Sequence, residues 1–226
     1  MRHVILDTDI GTDVDDLLAL VFLAKAPELC LEGVTTVHGN TLLRAKIARI
    51  ACQKLGIPDL PVVPGAIETL SGGEIFWPGH EGENIPGIEN ASVETSRSAS
   101  QFFLDLSEKF SGELEILAIG PLTNLAQTIS CFPEFRTRVK RLYLMGGAYW
   151  TDYSEHNLKM DVIAGQNRLR IRHPNHGDRP GCDVEGLDKR EARRANPKSS
   201  ERFGNDARRA DQAMVEISGR EPEQSA

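Results

Sequence analysis

Hydrophobic positions along residues 1–147 alternate between short continuous runs and stripes of helical spacing. HVILDTD (3–9), LEGVTTVHGN (31–40), PVVPGA (61–66), LEILAIG (114–120) and RLYLMGG (141–147) are apolar, β-branched runs closed by polar residues or glycine, as buried strands are. Between them lie helical stripes. LLALVFLAKAP follows Asp15 and Asp16 and is stopped by Pro27, which predicts a mostly buried helix with acids at its start. In TLLRAKIARIACQKLG (41–56), Leu43, Ile47, Ile50 and Ala51 share one face, and Gly56 can end the helix. Residues 96–110 and PLTNLAQTI (121–129) supply two more helices. The order βαβαβ, loop, αβαβ predicts one α/β domain, an open and mostly parallel sheet with helices on both faces.

The polar clusters lie just past strand ends: Asp7 and Asp9, His38 and Asn40, Gly120 to Asn124, and the segment after Met145. In open α/β sheets, ligands bind along that edge, so separate stretches converge on one pocket. Residues 67–92, with GGEIFWPGHEGENIPG at their centre, form a loop long enough to expect a functional role. Trp77 and Trp150 are candidates for the core or for a pocket wall.

The pattern stops near Gln166. Residues 166–226 carry no strand signal, hold half of the 26 lysines and arginines, and offer only a weak helix at 206–217. Such composition does not easily bury enough apolar surface to order itself. The expected division is a domain at 1–165 and an irregular Arg/Pro/Gly-rich tail at 166–226. A reading-frame shift in a G/C-rich gene would give this abrupt change.

Charge and composition narrow the function. A net charge of −7 argues against a general nucleic-acid or anionic-membrane binder, each of which needs a basic face. No run approaches the ~20 apolar residues of a membrane span. The first residues enter a strand pattern directly. The four cysteines (Cys30, Cys52, Cys131, Cys182) show no metal-ligand spacing. Reduced thiols and a cytoplasmic location are the expectation.

The chemistry is concentrated in VILDTDIGTDVDDLLAL (4–20), where five aspartates fall between Asp7 and Asp16. Crowded carboxylates repel unless a cation or hydrogen bonds absorb the charge. A helix cap needs one acid, not five; Asp13 alone fits a solvated loop. A hard divalent cation held by Asp9 and Asp16 is the first physical reading. A second is a phosphotransferase, since DTDIGT is similar to the aspartyl nucleophile loop of haloacid-dehalogenase-type Mg²⁺ phosphatases. The spacing does not fit an EF-hand.

DTDIGTDVDDLLAL, GVTTVHGNT, the GHEGENIPG loop, AIGPLTNLAQ, LYLMGGA and EHNLKMD occur in this order. Together they resemble the inosine-uridine preferring nucleoside hydrolase family over residues 1–165. The resemblance implies a Rossmann-like nucleoside hydrolase fold and Ca²⁺-assisted hydrolysis of ribonucleosides to ribose and free base. It implies Asp9 as metal ligand and general base, and Asp16 as metal ligand. Thr123 gives its carbonyl to the ion, and Asp7 supports the cluster near the metal. Asp15, Asn40, Glu155 and Asn157 hold ribose, Asn40 also touching the activated water, with His80 on the base side. Bland alternatives exist for several: Asn40 and Thr123 as helix caps, His80 and Glu155 as loop residues, His38 as structural.

The same resemblance implies a late His-Asp segment that completes the metal shell. Nothing in 166–226 matches it, His173, His176 and Asp178 included, so the fold is expected to be incomplete at its C-terminus with apolar faces exposed. Where the family carries an Asn before EHN, GAYWTDYSEHN offers Asp152 or Ser154. An impaired remnant that binds metal or ribose without turnover is therefore a further expectation. Members of the family are usually dimers or tetramers, and the implied partner is a small nucleoside.

Overall fold

The computed structural model describes residues 1–147 and 155–167. Trp150, Asp152, Ser154, Cys182 and the tail, with His173, His176, Asp178 and the helix read at 206–217, lie outside the described residues.

Strand β1 (Arg2–Thr8) leads to helix α1 (Asp15–Lys25), β2 (Leu29–Thr36), α2 (Thr41–Lys54) and β3 (Val62–Pro64). After the long loop, with one 3₁₀ turn at Ile88–Asn90, come α3 (Ala99–Lys109), β4 (Leu114–Ala118), α4 (Thr123–Cys131), α5 (Phe135–Arg138) and β5 (Val139–Leu144). Two short helices, α6 (His156–Met160) and α7 (Val162–Asn167), end the described part. The sheet has five strands in the order β3-β2-β1-β4-β5, and every pairing is parallel.

Parallel strands covered on both sides must be apolar on both faces, and β1 shows why its run lacks alternation. Val4 and Leu6 point to one side, where they meet Leu20 and Leu23 of α1 and Ala45, Ile47, Ala48 and Ala51 of α2. Ile5 points to the other, against Phe102, Phe103 and Leu106 of α3 and Leu125 and Ile129 of α4. β3 is shorter than its pattern because it lies at the sheet edge and ends in a proline, which cannot donate to a ladder. The α5 helix, four residues long, is too short to show a period in sequence.

The chain runs outward from β1 in both directions, to β2 and β3 on one side and to β4 and β5 on the other. The crevice beyond the C-terminal ends of β1 and β4 is therefore the topological switch point. Ile67 and Phe76 of the long loop, and Ile163 of α7, are exposed. Among the described residues no helix is long and apolar enough to cross a membrane, and Cys30, Cys52 and Cys131 are free thiols.

Candidate active site

Asp7 lies inside β1 with its side chain fully buried. Its Oδ1 accepts from Thr35 Oγ1 (2.7 Å) and from Asn124 Nδ2 (2.8 Å), while Oδ2 has no partner. Burial pushes its carboxyl up to about 7, against the pull of those two hydrogen bonds. Asp7 thus braces β1 to β2 and to the start of α4. Both bonds hold Asp7 within the protein, and among the described residues no three ligand atoms of this loop gather within 4.8 Å.

Asp9 stands one residue beyond the strand, half-buried. The β4–α4 turn presses on it: a Cβ built on Gly120 would meet Asp9 Oδ1 at 2.9 Å, so this turn requires glycine. Asp16 is buried in the first turn of α1, and Thr8 Oγ1 donates to its Oδ1 in a short hydrogen bond. Burial raises both carboxyls, Asp16 to about 8, and the negative charge of Asp9 adds to the rise of Asp16. The acids do not cap the helix. The N-cap is Val14, with no side-chain bond. Asp13 and Asp15 are exposed.

Arg44 organises the surroundings, and sequence reasoning passed over it. It is 1% exposed. Its Nε donates to His38 O (2.8 Å), its Nη1 to Ile10 O (2.9 Å) and to Asp9 O, and both Nη atoms reach Thr12 Oγ1 at 3.2 Å. The guanidinium lies 4.8 Å from the centre of the Trp77 ring. Trp77 in turn packs on Gly39, whose φ of +73° and lack of Cβ make room for the indole. One side chain of α2 therefore ties together the acidic loop, the β2–α2 loop and the long loop. A signal was present: Arg44 shares the stripe of Ile47, Ala48 and Ala51, where a charge has to find buried partners.

The remaining predicted residues divide. Thr123 is fully buried, and its hydroxyl donates to Asp161 Oδ2 (2.6 Å). Asp161, also missed as a site residue, further accepts from Leu70 N, Ser71 Oγ and Ala164 N, fixing the long loop to α4 and α7. Burial alone would raise the Asp161 carboxyl, but these bonds hold it below the ordinary range. Asn157 is buried and donates Nδ2 to Ile119 O (2.7 Å) and Met145 O (3.1 Å), bridging the ends of β4 and β5. Glu155 caps α6 by accepting from Asn157 N and Leu158 N. Asn40 is exposed and caps α2, its Oδ1 accepting from Leu43 N (3.1 Å). His80 is exposed and bonds Thr12 O through Nε2 (3.0 Å). His38 is buried with φ 66°, accepts from Phe76 N at Nε2, and is structural as expected. His156, edge-on to Phe76, lies close enough for its charge to favour ionised Asp9.

The donor set suits a hard divalent cation. Half-buried Asp9 and buried Asp16 are oxygen donors, and among the described residues no ion pair neutralises either carboxylate. The hydrogen bonds of Arg44 go to carbonyls and a hydroxyl, not to those carboxylates.

Known proteins place this geometry. The chain is 37% identical over 157 residues to uridine nucleosidase 1 of Arabidopsis thaliana, a match covering 66% of this chain and 46% of that protein. It is 30% identical over 178 residues to the pyrimidine-specific ribonucleoside hydrolase RihB of Escherichia coli, covering 75% and 55%. Among solved structures, the plant nucleoside hydrolase PpNRh1 superposes with a TM-score of 0.62 at 30% identity, over 73% of this chain and 55% of that one. The chain spans about half the length of the curated relatives it matches. The inosine-uridine preferring nucleoside hydrolase family matches residues 4–202, beyond the limit at 165 that the motifs gave. With this match and the parallel sheet, the chain belongs to the inosine-uridine preferring nucleoside hydrolase family.

Proposed function

We propose that the protein hydrolyses the N-glycosidic bond of ribonucleosides, uridine among them, with Ca²⁺ at Asp9 and Asp16. The observation that carries this reading is half-buried Asp9 beside buried Asp16 at the switch point, with no countercharge in ion-pair contact among the described residues. Bound there, the cation would lower the pKa of a coordinated water. Thr123 would add its backbone carbonyl. Asp9 takes the proton from the attacking water. Arg44 holds the backbone of Asp9 and Ile10 so that this carboxylate keeps its direction. The sugar, which passes through an oxocarbenium-like state, is anchored through its hydroxyls by Asp15, Glu155, Asn40 and the Oδ1 of Asn157. His80 faces the leaving base.

The test is release of free ribose from uridine and from inosine, in Ca²⁺ and then in chelator, for the wild type and for Asp9→Ala. Calcium-dependent release that Asp9→Ala abolishes is expected. A second reading, binding of metal or ribose without turnover, is favoured by one observation: among the described residues only two carboxylates form the pair. Calcium binding by a folded protein that releases no ribose would select it and overturn the first.

A further inference from the structure

At the opposite end of β1 from the acidic loop lies a second polar cluster, built from three different donor types. His3 on β1 and Cys30 on β2 are direct register partners. Glu32, two residues further along β2, is the residue left unpaired between Leu31 and Gly33, and its carboxylate meets both His3 and Cys30. The β1–β2 register slips between Val4 and Ile5, beside this group. His3 Nδ1 approaches Glu32 Oε1 to 2.8 Å. One ligand atom from each of His3, Cys30 and Glu32 lies within 4.8 Å of the other two.

The surroundings fix these groups and partly shield them. The His3 imidazole stacks on Phe110, with ring centres 3.9 Å apart and planes at 15°, which locks its orientation. The His3 and Glu32 side chains are 24% and 14% exposed, and Cys30 is half-buried. The Cys30 thiol hydrogen-bonds Glu32, which also lies 3.9 Å from Lys109 Nζ. An imidazole nitrogen, a thiolate and a carboxylate form the mixed set that borderline cations take and that Ca²⁺ and Mg²⁺ do not. A thiolate and a carboxylate together also balance a divalent charge.

We propose that His3, Cys30 and Glu32 form a site for a divalent transition-metal ion of the Zn²⁺ type, with water completing the shell. Binding exchanges the Cys30 thiol proton for the metal and replaces the His3–Glu32 hydrogen bond with two coordinate bonds. It pins β1 to β2 at the end remote from the acidic loop. The site is separate from the Asp9–Asp16 pair and rests in no way on ribonucleoside hydrolysis.

The test uses the full chain, stripped of metal and returned to buffer containing Ca²⁺, titrated with Zn²⁺ against a chromophoric chelator and, separately, with Co²⁺. One tight equivalent of Zn²⁺ is expected, and the Co²⁺ form is expected to show a thiolate-to-cobalt charge-transfer band. Cys30→Ser should remove the band, and His3→Gln and Glu32→Gln should each weaken Zn²⁺ binding at least about tenfold. Cys131→Ser and Cys182→Ser should change neither. Circular dichroism checks each fold; if Cys30→Ser is unfolded, His3→Gln and Glu32→Gln decide. A band that survives in folded Cys30→Ser overturns the proposal. So does Zn²⁺ affinity equal to wild type in folded His3→Gln and Glu32→Gln, or a wild type that binds no equivalent.

Discussion

Replacing Asp7 by Asn tests whether this acid is a brace or a ligand. Asn keeps an oxygen where Thr35 and Asn124 donate, and removes the titration. A buried acid raised from 3.8 to about 7 favours the folded state only while protonated. That contribution is complete below the unfolded value, falls as pH rises, and is gone above the folded value. Between about pH 5.5 and pH 8, wild type loses about 2 kcal/mol through Asp7 alone. For a chain of this size that is roughly 4–8 °C in melting temperature. Asp9 and Asp16 lower stability with the same sign in both proteins, so the difference between them isolates Asp7. The assay is urea unfolding across this pH range in chelator, repeated with Ca²⁺. Asp7→Asn should match wild type at the acid end, exceed it by about 2 kcal/mol at the alkaline end, and keep its stabilisation by Ca²⁺. Parallel pH profiles for the two proteins would refute the buried-brace account. Loss of the Ca²⁺ effect in the variant would return Asp7 to the metal.

Arg44→Lys keeps a charge but loses the planar fork that reaches Asp9, Ile10, His38 and Thr12. It should lower stability by about 2 kcal/mol and kcat of ribose release more than KM, read by denaturation and steady-state kinetics. Asp161→Ala strips acceptors from Thr123, Leu70, Ser71 and Ala164, and should cost about 3 kcal/mol and speed protease cleavage near residue 70. Glu115 is buried, yet hydrogen bonds from Arg2, Lys140 and Tyr143 outweigh desolvation and hold it at about 2. Its stabilisation is present above the usual glutamate range and is lost as pH falls toward 2. With Arg2 and Lys140 both over a third exposed, Glu115→Gln should cost only about 1–2 kcal/mol at neutral pH in urea unfolding, and nothing at the acid limit.

What could be read from sequence was what repeats along the chain. Among the described residues, apolar runs of strand length and stripes at helical spacing located each strand and the four longer helices, because burying both sheet faces keeps most strand positions apolar. Position past a strand end singled out Asp9 and the turn at 120–124, since the switch point is a property of topology, whereas Asp16 came from the acidic run and Asn157 from the family resemblance. What could not be read was the direction of a side chain. Asn40 and Glu155 carry the right atoms but spend them partly on capping, a local choice set by backbone angles. The partners of Asp7, Thr35 and Asn124, are remote from it in sequence, so spacing along the chain does not show them. The role of Arg44 could not be read, because helical spacing shows which face it shares but not that backbone carbonyls wait beneath.

The arrangement of charge around the switch point explains why Arg44 and the acid pair belong to one device. Two carboxylates held together in a buried loop repel, and a loop free to relax would let them separate into solvent. Arg44 prevents that without pairing to either one. Its bonds to Asp9 O, Ile10 O and His38 O fix the backbone, while Thr8 fixes the Asp16 carboxylate from below. Burial keeps both acids raised although the charge of Arg44 favours their ionised forms, and among the described residues no cation forms an ion pair with either. A lysine or a direct Arg–Asp salt bridge at the same place would neutralise the pair and remove its attraction for a cation. Spending the guanidinium on carbonyl oxygens is what lets a buried cation stiffen an anionic site without occupying it.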